Sequence, residues 1–271
     1  MPSEINVLYL LQGIYLSNNN LRSDLADDIF DIPNLREIEL QQNGIFAKLP
    51  TKLPDTLEKL DMTSNRLVGE IPSTIWTLPN LRYLSLGGNT DLTGSISAQV
   101  DQTNLQVINL NDVDLSGSTL PESLAMLDLV IFEVANCGLS GPLPDIFERS
   151  DDLAIVNVSK NGLTGSIPVS LGRLHTNLST INLSSNKLSG EIPWGLTKNI
   201  ALTFLGLSDN EFTGTVPWQF QFFLYLNTLT LHGNKLYGDV DDSLCYIKEL
   251  TADCSGEQPE IACSCCVCDA N

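Results

Sequence analysis

Apolar and polar positions along this chain alternate in short bursts that recur at a fixed interval. Leu35-Arg-Glu-Ile-Glu-Leu, Leu57-Glu-Lys-Leu-Asp-Met, Leu81-Arg-Tyr-Leu-Ser-Leu and Leu105-Gln-Val-Ile-Asn-Leu are four in succession. Inside each burst two apolar residues flank a polar one, the period-two pattern of a strand with one buried face. Three positions beyond stands an asparagine: Asn19, Asn43, Asn65, Asn89, Asn161, Asn186, Asn210 and Asn234. Val113 and Cys137 hold that column in the two intervening turns. Successive members lie 24, 22, 24, 24, 24, 24, 25, 24 and 24 residues apart. A period sustained this far is the signature of a solenoid, in which stacking buries what one turn cannot bury alone.

The pattern predicts an α/β repeat solenoid whose concave face is a parallel sheet of about ten strands. Its convex side is expected to hold short helices, 3₁₀ turns and loops. At a strand spacing of about 4.8 Å the sheet would run about 45 Å. Leucines point inward, and each asparagine follows its strand where the chain turns in, where its amide can serve otherwise unpaired backbone groups. Residues 1–240 read as the array and 241–271 as a cysteine-rich cap. The first ten residues lack a basic start and a cleavage site, so they read as a partial strand rather than a signal peptide. An N-terminal cap is expected to be absent, leaving Ile5, Leu8 and Leu10 exposed.

Each unit follows LxxLxLxxNxL, and several continue as Gly69-Glu-Ile-Pro72, Gly165-Ser-Ile-Pro168, Gly190-Glu-Ile-Pro193 and Gly214-Thr-Val-Pro217. Over residues 11–240 this resembles the plant-type leucine-rich-repeat family, including receptor ectodomains and polygalacturonase-inhibiting proteins. The resemblance implies a right-handed horseshoe or superhelix and a non-catalytic recognition role, extracellular or at the cell surface. It implies a protein, peptide or cell-wall polysaccharide as partner. The tail, LTADC followed by CxCCxxC, is similar to the caps of leucine-rich-repeat proteins from diatoms and related algae.

Six of the seven cysteines crowd into that tail: Cys245, Cys254, Cys263, Cys265, Cys266 and Cys268. An even cluster just past the last repeat suits disulfide staples in an oxidising compartment, with fifteen pairings open. Zinc is the competing reading, weakened by the lack of separated CxxC pairs or a nearby histidine. Cys137 belongs to the asparagine column and is expected to be buried and reduced. Val113 cannot make the asparagine's bonds, which predicts the loosest ladder in turns four and five.

With 33 acidic against 14 basic residues the net charge is −19, which disfavours nucleic acid and anionic membrane surfaces. The acids show no calcium-loop spacing, and no metal or cofactor is expected. Two histidines, His175 and His232, fall on different turns with no nucleophile motif, so no catalytic residue is assigned.

Function is therefore sought on the outward strand positions of turns four to nine. Tyr83, Val107, Ile131, Ile155 and Phe204 form an apolar stripe beside a polar lane of Ser85, Asn109, Glu133, Asn157 and Asn182. Such a pairing fits an extended peptide or sugar chain, although strand propensity alone also favours these residue types. Three sequons begin at Asn157, Asn177 and Asn182, and glycans on the first and last would obstruct this face. Asn177, just ahead of its strand, reads as the most accessible. Trp76, Trp194 and Trp218 follow prolines on the convex side and read as core or lateral packing. A structural, matrix- or ice-interacting role is the alternative, though an ice surface calls for a more regular column than this one.

Overall fold

The computed structural model describes residues 8–22, 27–173, 175–255 and 260–268. Each repeat contributes a three-residue strand. These are Gly13–Tyr15, Glu37–Glu39, Lys59–Asp61, Tyr83–Ser85, Val107–Asn109, Ile131–Glu133, Ile155–Asn157, Thr180–Asn182, Phe204–Gly206 and Thr228–Thr230. All pair in parallel and in chain order, so that Ile38 stands beside Leu60 and Ile108 beside Phe132. The middle residue of every strand is buried, from Ile14 to Leu229, which is why period two persists through three-residue strands.

The sheet has 12 strands rather than about ten, because Glu249–Ala252 and Val267–Cys268 extend it. Both lie in the cysteine-rich segment, where Leu244, Ile247, Leu250, Ala252 and Ile261 are buried in continuation of the solenoid core. The six clustered cysteines pair as Cys245–Cys265, Cys254–Cys268 and Cys263–Cys266. At the opposite end Leu8 and Leu10 are exposed, while Ile5 lies outside the described residues.

A second parallel sheet of five strands runs beside the first: Ser140–Pro142, Gly162–Gly165, Lys187–Glu191, Glu211–Gly214 and Lys235–Leu236. It is built by the LxG half of each repeat. Gly165 and Gly190 sit at φ of 90° and 87°, a region that a side chain at Cα disfavours. Among the described residues the convex side holds 3₁₀ turns and no α-helix. Pro72, Pro121, Pro168, Pro193 and Pro217 each precede such a turn, where a missing N–H leaves nothing unpaired. Ser97 and Asp241 take that place elsewhere and accept from the N–H of Gln99 and Ser243.

The asparagine column binds turn to turn. Asn65 donates from Nδ2 to the carbonyls of Leu40 (2.9 Å) and Met62 (3.0 Å), and its Oδ1 accepts from the Ile45 N–H (3.1 Å). Asn210 repeats this with Leu183, Leu207 and Leu188. Asn43, Asn89, Asn161, Asn186 and Asn234 do the same in their own turns. Among the described residues Asn19 bonds only to Leu16 and Ser17 of its own turn. The residue ahead of the column is left-handed in turn after turn: Asn18, Gln42, Ser64, Asp112, Asn136, Lys160, Ser185 and Asp209 have φ between 54° and 62°. The chain accepts that local cost because it aims the asparagine inward.

At the two exceptions the ladder changes partners. The Cys137 thiol is buried and donates to the Leu110 carbonyl (3.1 Å). The Leu115 N–H, which an asparagine Oδ1 would otherwise take, goes to the Cys137 carbonyl at 2.8 Å. Val113 is fully buried with no side-chain bond to offer, yet the strands on either side stay in register. The weakness expected here is thus confined to side-chain bonds.

Burial pushes the Cys137 thiol up to about 12 from its ordinary 9.0. The folded state therefore keeps a proton that the unfolded thiol loses, and stability falls as pH rises from 9.0 toward about 12. Denaturation midpoints at about pH 8 and about pH 10 should show the protein losing about 1 kcal/mol more than Cys137→Ser does. Equal losses in the two proteins would remove the thiol as the cause.

Candidate functional site: the concave sheet

Strand register places the apolar stripe on one face. Tyr83 stands beside Val107, Val107 beside Ile131, and Ile131 beside Ile155. Thr180 then separates Ile155 from Phe204. All are half-buried, because neighbours one turn away cover their flanks and leave their tips to solvent. The stripe is continuous over four turns, and Phe204 is an outlier beyond a threonine.

The polar lane is less available than its composition suggests. Ser85 is 1% exposed, and its hydroxyl lies 2.6 Å from that of Thr63, so it is a packing residue rather than a ligand contact. The Oδ1 atoms of Asn109, Asn157 and Asn182 accept from the N–H of Asn111, Ser159 and Ser184, two residues on. These asparagines cap their own strands, and the side-chain atom left for an outside partner is the Nδ2 donor. The lane therefore offers donors more than acceptors. Glu133 is half-buried among them and has no side-chain partner among the described residues. Gly206 closes the lane because a Cβ there would lie 2.6 Å from the Asn182 Oδ1.

Turns one to three carry a set of charges that largely satisfy one another. Lys59 pairs with Glu39 at 2.7 Å and lies 4.7 Å from the centre of the Tyr83 ring. The hydrogen bond to Glu39 is the main reason its ammonium is held above the ordinary lysine range. Tyr83 donates to Asp61 at 3.4 Å, and burial first, then the Asp61 charge, raises its phenol. Tyr15 donates to Glu37. Tyr83 thus joins a locked charged end to the open apolar stripe.

Neither histidine belongs to this face as a reactive group. His175 is buried on the far side, its Nδ1 and Nε2 set 3.0 Å and 2.9 Å from the carbonyls of Ser150 and Ser170. His232 Nδ1 lies 2.7 Å from the Thr251 hydroxyl. Among the described residues no three His, Cys, Asp or Glu side chains are grouped to hold a metal. Trp76 is packed in the core, whereas Trp194 and Trp218 are 54% and 59% exposed and make only lateral contacts. Lys198 lies over the Trp194 ring, and Phe222 meets Trp218 edge-on. They escape the core because they open their 3₁₀ turns, whereas Trp76 sits three positions further in.

The outer edge of the sheet holds cavities that the stripe-and-lane pattern does not reveal. One is lined by Arg82, Asn104, Gln106 and Arg149, and another by Thr203, Tyr225, Asn227 and Tyr246. Arg82 and Gln106 each precede a stripe residue, one position outside the alternation that drew notice.

Parallel strands of one repeat, bound by an asparagine ladder, define a leucine-rich-repeat solenoid. Residues 56–78 and 177–199 match the Leucine Rich Repeat family model. Receptor-like protein 1 of Arabidopsis thaliana is 32% identical over 156 residues, which are 54% of this chain and 14% of that protein. The Arabidopsis receptor kinase HAESA, solved in complex with the peptide hormone IDA and the co-receptor SERK1, superposes with a TM-score of 0.82. It is 26% identical, over 93% of this chain and 42% of that one. A plant ice-binding protein superposes at 0.71 with 24% identity over 88% of this chain and 76% of its own, a likeness of fold. The chain has the leucine-rich-repeat fold and is similar to leucine-rich-repeat proteins of plants. It spans 14–17% of the length of the curated relatives it matches most strongly. No described helix is long and apolar enough to cross a membrane.

Proposed function

We propose that this chain is an extracellular, non-catalytic recognition module that binds an extended peptide or protein segment along turns four to nine of its concave sheet. The observation that carries this reading is the stripe from Tyr83 to Ile155, register-adjacent and half-buried, beside asparagines whose donors remain open. An extended peptide offers apolar side chains and backbone carbonyls at just such alternating positions. HAESA, which shares the fold, holds a peptide hormone. Three disulfides in one short segment favour an oxidising, extracellular setting. A cell-wall polysaccharide is the competing ligand on the same face. Ice is disfavoured by the mixed central column of serine, asparagine, glutamate and glycine.

Of the three sequons, Asn177 is exposed, whereas Asn157 and Asn182 are half-buried in the sheet. A glycan at Asn177 would leave the groove open. The reading is tested by selecting binders from a random peptide display library and measuring them against Tyr83→Ala and Phe204→Ala. Each change should weaken the selected peptides about tenfold, the effect of removing an aromatic anchor. Unchanged affinity in both variants would take this face out of consideration.

A further inference from the structure

We infer that the exposed aromatic patch on the convex side of turns eight to ten is a docking surface for a second copy of this chain, paired about a two-fold axis at Trp218. This pairing is independent of the concave face and leaves it open to a ligand. Trp194, Ile200, Trp218, Phe222, Leu224 and Tyr225 make up the patch, and each is more than half exposed. Repeat periodicity brings them together. Trp194 and Trp218 open the successive 3₁₀ turns Trp194–Lys198 and Trp218–Phe222, and Tyr246 ends the next one, Asp242–Tyr246. Ile200 and Leu224 occupy one column of the returning loops, 24 residues apart. Trp218 meets Phe222 edge-on at 5.8 Å between ring centres, and Tyr225 and Tyr246 line a cavity of about 440 Å³ at the border of the patch.

Size and charge both set this patch apart. An aromatic side chain offers about 150–250 Å², so six large side chains, each about half exposed, present on the order of 600–700 Å² of apolar surface. The largest apolar patch of an ordinary monomer spans about 300–600 Å², and one side of a stable interface about 800 Å². A patch between the two supports a dimer of about micromolar affinity rather than a permanent one. Residues 192–238 contain two acids, Asp209 and Glu211, in a chain that has 33 in 271. Both precede the 3₁₀ turn, one in the asparagine loop and one at the start of Glu211–Gly214, so no carboxylate belongs to the patch. Two copies, each of net charge −19, repel wherever their acids meet, and on this face no acid of either copy stands between the rings.

The charges that flank the patch have opposite signs on its two sides. Lys198, on turn eight, lies 5.4 Å from the centre of the Trp194 ring. Asp241 and Asp242, on turn ten, are exposed. Asp242 accepts from the Ser264 hydroxyl at 2.6 Å through one oxygen, and its other oxygen is open among the described residues. A two-fold axis through turn nine exchanges turns eight and ten. Lys198 of each copy then meets Asp242 of the other, while the two Trp218 rings pack at the axis. A neutral oligosaccharide or a lipid surface would engage the rings but give this opposed placement of charge no counterpart. A second copy uses both.

The test is sedimentation of the full chain over a concentration series at low and high salt. A monomer–dimer equilibrium should appear in about the micromolar range. Trp218→Asp should weaken it at least about a hundredfold, since an aromatic anchor at a two-fold axis is lost from both copies at once. The unfolding midpoint of that variant should stay with the parent's, because the ring is exposed. Leu224→Asp, at the most exposed position of the patch, should act in the same direction. Lys198→Glu should weaken dimerisation about tenfold at low salt, and Lys198→Glu combined with Asp242→Lys should restore it to within about threefold. A dimer that persists in both Trp218→Asp and Leu224→Asp overturns the inference. So does a chain that stays monomeric up to about 1 mM, whether or not its tryptophan fluorescence responds to phosphatidylcholine vesicles or a neutral oligosaccharide. Loss of the dimer in Trp218→Asp without rescue by the exchanged charges overturns the two-fold register and supports the surface alone.

Discussion

Asn65→Ala should destabilise the protein by about 2–4 kcal/mol, the cost of leaving several buried backbone groups without partners. The Asn65 side chain serves two carbonyls and one N–H in two adjacent turns, and it is itself buried. Alanine can serve none of them, and the position is largely shielded from water. Asn210→Ala should cost a similar amount, because its three partners are equivalent and its burial is the same. Asn19→Ala supplies the control, since among the described residues that exposed side chain bonds only within its own turn. Its cost should be a few tenths of a kcal/mol. Denaturant midpoints of the three variants, compared at equal slope, decide the matter. If Asn19→Ala proves as damaging as Asn65→Ala, bonding between turns is not what the column provides.

Removal of the cap crosslinks should rank next. Cys254–Cys268 joins the ends of the last two strands of the long sheet, and Cys245–Cys265 ties the last convex turn to the tail. They close loops of 14 and 20 residues, each worth about 3 kcal/mol by loop-closure entropy. Cys263–Cys266 spans only three residues and constrains little. The double change Cys254→Ser with Cys268→Ser should therefore lower stability by about 2–4 kcal/mol. Cys263→Ser with Cys266→Ser should barely register. Hydrogen exchange should show protection lost first at Glu249–Ala252 and next at Thr228–Thr230, as the core frays from that end. A midpoint that survives full reduction would show that Leu250 and Ile261 hold the cap without its sulfur.

The sequence disclosed what is periodic and hid what is local. The strand column and the asparagine column were plain, because one face of every strand is buried and the same polar atom recurs at the same offset. The second sheet was not, since Gly165 and Gly190 announce a bend but their neighbours lack the alternation that marks a strand. The left-handed column escaped for another reason: Gln42 and Lys160 are poor predictors of positive φ, and the tertiary frame imposes it. On the candidate face, Tyr83 through Ile155 were legible as outward residues. The burial of Ser85 was not, because it depends on Thr63 in the preceding turn. Exposure of Trp194 and Trp218 likewise turns on one position within a 3₁₀ turn, finer than a repeat pattern resolves. The cysteine pairings required coordinates, since fifteen were open on spacing alone.

The asparagine bonds between turns join residues only 20 to 28 apart in sequence. Among the described residues, strand pairing and the asparagine bonds tie each turn only to its immediate neighbours. Whole turns can then be gained or lost between the charged beginning and the crosslinked end without disturbing those that remain. Each added turn then brings its own interface, so stability builds turn by turn, and the array works as a ruler whose graduations are strand spacings. A lineage bearing this scaffold could match a longer or shorter ligand by duplicating a stretch of gene, with no residue at either end needing to change.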